Sequence, residues 1–168
     1  TAYKTIKGFT VQSLATDPLG EGASNGVWSS GGELNTARSN NSGLGSQDAA
    51  IVVGGSGTPD AVELYNGTSW SEIAEINTGR LYMASGGTST AGITFGGVPN
   101  IANTEIWNGT SWTEVNDLNT GRSGLGGCGT TTSGLAFGGI SITGKTEIYN
   151  GTSWSEVNDL NTARIDLS

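Results

Sequence analysis

The chain has 168 residues with seven basic and fifteen acidic side chains, a formal net charge of −8, no histidine and one cysteine. Without histidine, Ser-His-Asp and Cys-His catalysis and histidine-bearing metal sites lack their base or ligand, and one cysteine excludes an intrachain disulfide. A negative balance with no Lys/Arg run argues against nucleic acid as a partner, and no apolar stretch reaches the roughly 18 residues of a membrane helix.

In chain order, residues 1–27 form an N-terminal segment unlike the rest, expected to act as an anchor or as closing strands. Its start, "TAYKTIKGFTVQSLATDP", lacks the apolar centre of a signal peptide. "GVWSSGGEL" follows at 26–34 and corresponds to a fourth strand around Trp28. Three units then run without insertion, 38–79, 80–121 and 122–163. Trp28, Trp70, Trp112 and Trp154 rise in steps of 42, and so do Arg38, Arg80, Arg122 and Arg164. Inside one unit, "RLYMASGGT", "AGITFGG", "NTEIWNGT" and "SWTEVNDL" are short apolar or β-branched runs punctuated by Gly, Asn, Ser and Thr. No helical apolar stripe competes with them. "IWNGTSW" places Asn108-Gly109 between two runs, where a tight hairpin of type I′ or bulged geometry is expected. The last residues, "RIDLS", begin a further first strand.

Four antiparallel strands in a unit of about 40–50 residues, repeated, describe an all-β propeller of stacked blades, here three complete blades plus partial terminal strands. A Gly-Gly closing the second strand, Glu-x-(Tyr/Trp) in the third, Trp in the fourth and then Arg resemble the kelch repeat over residues 28–164. The resemblance implies kelch-like blades at 28–168, with a unit shorter than the family's usual ~50 residues. It does not extend to the copper-ligand set of kelch-like oxidases, which needs histidine. Only 34% of residues are hydrophobic and 13% charged, while 29 are glycine. That thin, polar composition resembles bacteriophage fibre and surface proteins and implies a virion or extracellular location. Three blades are fewer than the usual four to eight, so ring closure is expected from a second chain or from a longer propeller. The alternative is a fourth blade built from both termini. Open blade faces also predict self-association.

Chemistry needs unlike groups converging on one point, whereas packing residues recur in every unit. Glu63, Glu105 and Glu147 are in register, as are Glu72, Glu114 and Glu156, and Glu33, Glu75, Asp117 and Asp159. Only Asp17, Glu21, Asp48, Asp60 and Asp166 are unrepeated acids. One Glu in the third strand and one Arg after the fourth predict a brace between strands; an arginine ring around an anionic ligand is the alternative. Tyr65, Trp107 and Tyr149, with Val53, Phe95 and Phe137, are expected to fill the spaces between blades, with sugar stacking the alternative for the Trp set. Cys128 is expected to be a small buried residue of a first strand.

"GLGGCG" at 124–129 fits G-x-G-x-x-G but opens no helix. "YNGTSW" resembles the Asp-box of sialidase propellers in its Gly and Trp spacing, with Tyr65 where the Asp belongs. The sequons at Asn40, Asn66, Asn108 and Asn150 are read as turns. The segments 56–61, 98–103 and 140–145 share almost nothing, join second to third strands, and are expected to form one surface with the connections carrying Asn35, Asn77, Asn119 and Asn161. Loops on a rigid frame carry specificity, which makes Thr58, Asp60, Pro99, Asn100, Asn103, Ile142 and Lys145 the candidate binding residues. Neutral drift of solvent loops is the competing explanation. These features predict no catalytic residue, metal or cofactor. They predict a structural or adhesive role with protein partners, self-association or other virion proteins, and a surface glycan as a further ligand. A bacterial carbohydrate-binding or glycan-hydrolysing propeller is the rival.

Overall fold

The computed structural model describes residues 2–6 and 9–13 as backbone, and 31–140 and 144–167 in full. It divides into two units, Thr1–Gly31 and Gly32–Ser168. In the first, β1 (Ala2–Ile6) and β2 (Phe9–Ser13) pair antiparallel from Ala2 against Ser13 to Ile6 against Phe9. Trp28 and Ile142 lie outside the described residues.

The second unit is all-β: three four-stranded antiparallel sheets, with no helix among the described residues. The first sheet runs β3 (Ser42–Ser46), β4 (Ala49–Val53), β5 (Val62–Tyr65) and β6 (Trp70–Ile73) in chain order. The second repeats that order with β7 (Ala84–Thr88), β8 (Ala91–Phe95), β9 (Thr104–Trp107) and β10 (Trp112–Val115). The third does so with β11 (Gly126–Thr130), β12 (Ser133–Phe137), β13 (Thr146–Tyr149) and β14 (Trp154–Val157).

Burial explains the composition of each strand. In β8, Ile93, Thr94 and Phe95 are all fully buried, because a sheet covered on both sides hides both sets of alternating side chains. The first strands lie nearest their counterparts, with β7 beside both β3 and β11. That proximity demands glycine. A Cβ on Gly86 would come within 2.9 Å of the Gly129 backbone nitrogen and oxygen, and one on Gly127 within 2.5 Å of Phe95 Cζ, so these two positions have no room for a side chain between the sheets. The outer strands β6, β10 and β14 carry exposed Glu72, Glu114 and Glu156, charges that discourage edge-to-edge pairing.

Two apolar cores result, and each joins neighbouring sheets. Leu44, Ile51, Val53, Val62, Ile76 and Met83 meet Trp107 and Trp112 of the second sheet. At equivalent positions, Ile93, Phe95, Leu118 and Leu125 meet Tyr149 and Trp154 of the third. Phe95 and Trp154 stack edge to face with centroids 4.8 Å apart, while Tyr65 and Phe137, at the two outer faces of the set, are only half-buried.

The two cores differ in one hydrogen bond. Trp154 Nε1 donates to Thr104 Oγ1 at 3.1 Å, but the residue equivalent to Thr104 in the first sheet is Val62, and Trp112 Nε1 is buried without an acceptor. Thr104→Val should therefore destabilise the protein by about 1–2 kcal/mol, and Val62→Thr should offset part of the orphaned donor's cost. Urea midpoints of the two variants check this. A shift of the same sign for both would contradict the assignment.

Two expectations are corrected. Cys128 is exposed. It pairs with Leu135 on the side of the third sheet that no other described sheet covers, whereas its counterpart Leu44 is 8% exposed beneath the second sheet. The Asn-Gly turns are four-residue loops in which, among the described residues, glycine alone of the pair has positive φ, +91° at Gly67 and +93° at Gly109 and Gly151. The Asn side chain explains the extra length: Asn108 Oδ1 accepts from the Thr110 and Ser111 N–H groups at 2.9 Å, capping the loop in place of a second left-handed residue.

Candidate functional site

The charged residues repeated in each unit form carboxylate clamps. The connection entering each sheet supplies Asn-Thr-x-Arg, and the third strand of that sheet supplies Glu. In the second sheet, Glu105 Oε2 accepts from the Asn77 N–H at 2.7 Å and from Asn77 Nδ2 at 2.8 Å. Its Oε1 accepts from Arg80 Nη1 at 2.6 Å and from the Thr78 N–H at 3.3 Å. Asn77 Nδ2 also reaches the Trp112 carbonyl at 3.2 Å, tying in the fourth strand. The first sheet repeats this with Asn35, Thr36 and Arg38 around Glu63, the ion pair closing to 2.5 Å. All four of these Arg and Glu side chains are fully buried. A buried carboxylate is tolerable because each oxygen has donors, one of them a guanidinium.

The third clamp is looser. Asn119 holds Glu147 Oε2 at 2.7 and 2.9 Å, but Arg122 Nη2 stands 3.2 Å from Oε1 without hydrogen-bond geometry, leaving Oε1 and Arg122 Nε and Nη1 unpartnered. Burial pulls the Arg122 guanidinium below its ordinary pKa, against the raising influence of Glu147, Glu156 and Asp159. A fourth Asn-Thr-x-Arg, Asn161 to Arg164, is exposed. The arginines thus pair one by one with glutamates of their own sheets rather than converging on an anion. The Asn residues were legible only as members of a connection. Their register with Arg, three residues apart in every unit, was the unused signal.

The diverged segments do join second to third strands, and each is hydrogen-bonded to the connection leaving its sheet. The Ile76 N–H donates to the Asp60 carbonyl at 3.1 Å, the Leu118 N–H to Ala102 at 3.0 Å and the Leu160 N–H to Gly144 at 2.7 Å. Loop and connection therefore share one end of each sheet. On that end Asp60, Pro99 and Asn100 are exposed. Asn100 holds φ +61° and accepts from Ser123 Oγ at 2.8 Å. Thr58 Oγ1 is buried without a partner. Asn103 Nδ2 donates to Glu114 at 3.1 Å, and Lys145 Nζ to Glu156 at 2.9 Å. Asn100, Asn103 and Lys145 are thus held by local bonds.

Gly-Gly pairs launch these loops. Gly96 has φ +71°, and a Cβ there would lie 2.7 Å from the Arg122 carbonyl oxygen and 2.8 Å from Leu125 Cδ2. Gly96→Ala should cost on the order of 3 kcal/mol from strain and overlap together. Thermal denaturation measures it, and an unchanged midpoint would show that the loop can re-route.

Among the described unrepeated acids, Asp48 and Asp60 stay apart. Asp48 lies in the turn between β3 and β4 and Asp60 in the loop after β4, at opposite ends of a five-residue strand. That length is roughly 17 Å, beyond the ~5–9.5 Å separating the two carboxyls of a glycosidase. Asp166 is exposed in the terminal segment beside Gly124. No family model matches the chain, and no curated protein matches it.

Proposed function

We propose that the chain is a non-enzymatic structural or adhesive β-propeller of kelch-like blades, a component of a virion surface, phage tail or fibre, or of an extracellular appendage. Its partners are other proteins of that particle, copies of itself, or a host-surface glycan. One observation carries this reading: Arg38, Arg80 and Arg122 are spent in buried clamps with Glu63, Glu105 and Glu147, so these repeated pairs serve the frame. What differs between units is the set of loops at one end of the sheets, which suits recognition by shape and hydrogen bonding. The wide separation of Asp48 and Asp60 speaks against paired-carboxylate hydrolysis.

Two assays test the role. Antibody labelling of purified particles should place the protein stably on their surface. A panel of soluble glycans incubated with the purified chain should show no turnover, and saturable release of reducing ends would overturn the reading in favour of a glycan hydrolase. Asp60→Ala should weaken attachment to the partner without moving the unfolding midpoint, because the Asp60 side chain is exposed. Unaltered attachment would remove the loop end as the binding surface.

A further inference from the structure

The third sheet exposes a face that the first two bury. Ile51, Val53, Ile76 and Met83 are each at most 3% exposed beneath Trp107 and Trp112, and Ile93, Phe95, Leu118 and Leu125 are likewise buried beneath Tyr149 and Trp154. Their counterparts Leu135, Phe137, Leu160 and Leu167 are all partly open to solvent, and Ile148 and Val157 beside them are 42% and 38% exposed. Two hollows lie along this side, one of about 310 Å³ between Phe137, Leu160, Arg164 and Leu167, the other of about 640 Å³ reaching Cys128, Leu135 and Ile148.

A second observation says what belongs there. The backbone of the fourth Asn-Thr-x-Arg is already set as in the filled clamps: the Gly139 N–H donates to the Arg164 carbonyl at 2.9 Å, as Gly97 does to Arg122 at 2.9 Å and Gly55 to Arg80 at 3.2 Å. Yet Arg164 has no carboxylate among the described residues. The two filled interfaces specify the missing piece: a Glu, an aromatic residue two positions later and a Trp seven positions after the Glu, as in Glu105, Trp107 and Trp112 or Glu147, Tyr149 and Trp154.

We infer that this face is a docking surface for a β-blade that presents Glu-x-(Tyr/Trp) in one strand and Trp in the next, with its carboxylate entering the clamp formed by Asn161 and Arg164. A second copy of this chain is the poorer occupant. Its leading sheet also carries Glu63, Tyr65 and Trp70, but Glu63 is already held by Asn35 and Arg38, whose connection fills the place that residues 161–164 would need. The inference rests on the sheet interfaces and stands apart from the proposed role of the loops.

The probe is a synthetic hairpin with the sequence of residues 104–115, TEIWNGTSWTEV, titrated calorimetrically into the full chain while maleimide labelling of Cys128 is followed. Saturable one-to-one binding that slows labelling is expected. Arg164→Gln in the protein and Gln in place of the probe's first Glu, the one corresponding to Glu105, should each weaken binding about 10- to 100-fold, the range for a hydrogen bond to a charged group, and the two changes together should weaken it little further. Arg164 is exposed, so its loss leaves folding intact. No saturable binding, or binding indifferent to both changes, would overturn the assignment. So would self-association of the chain alone, at micromolar concentration, that protects Cys128, since a second copy would then be the occupant.

Discussion

Arg80→Ala should unfold at markedly lower urea than the parent protein, with a loss of about 3–5 kcal/mol, because it leaves the Glu105 carboxylate buried without its cation. The guanidinium is fully buried, bonded to Glu105 Oε1 at 2.6 Å and to the Thr78 carbonyl at 2.9 Å, so water cannot take its place without opening the sheet. Glu105→Ala removes the other half and should cost a similar amount, stranding the guanidinium together with the Asn77 donors. The double variant should cost much less than the sum, which a double-mutant cycle would show. Arg164→Ala is the control: the same residue in the same register, but exposed, and expected to stay within about 0.5 kcal/mol of the parent. A folded Arg80→Ala protein of undiminished stability that had lost a binding partner would assign the clamps to recognition instead of architecture.

Trp154→Ala is expected to cost about 3–5 kcal/mol, the range for emptying a buried aromatic site. Trp154 is 5% exposed and lies between Phe95 of the preceding sheet, 4.8 Å away, and Tyr149 of its own, 5.1 Å away. Its removal also frees the Thr104 hydroxyl. Trp70→Ala, at the equivalent place in the first sheet, should cost distinctly less. Trp70 is only half-buried, with Tyr65 at 5.0 Å as its aromatic neighbour. Calorimetric unfolding of the two variants measures the difference directly. Equal losses would mean that the Trp stabilises its own hairpin rather than the interface between sheets.

Strand positions were legible along the chain because turn chemistry is local. Gly-Gly after the second strand and Asn-Gly after the third bracket each run, and alternating or β-branched residues fill it, so "AGITFGG" and "NTEIWNGT" declare β8 and β9 without tertiary help. The pairing of Arg80 with Glu105 was legible for a similar reason: two opposite charges kept in step through every unit serve something that recurs. Loop geometry was less so. Asn-Gly by itself suggests two left-handed residues, and only the built loop shows the Asn side chain bonding to the backbone in their place.

What the tertiary structure alone decided is which copies of a repeated residue are buried. Cys128 and Leu44, Phe137 and Phe95, Arg164 and Arg80 occupy matching positions in the sequence, yet in each pair the first is open to solvent and the second is not. Local propensity acts within a strand and its turns, and it is the same for every copy. Burial depends on whether another sheet lies against that face, and this is set by the order of sheets in space. Likewise, the orphaned indole of Trp112 cannot be read from its own unit, because its missing partner, a hydroxyl at Val62, belongs to the sheet before it. An interface is the property of two units, and the repeat spells out only one of them at a time.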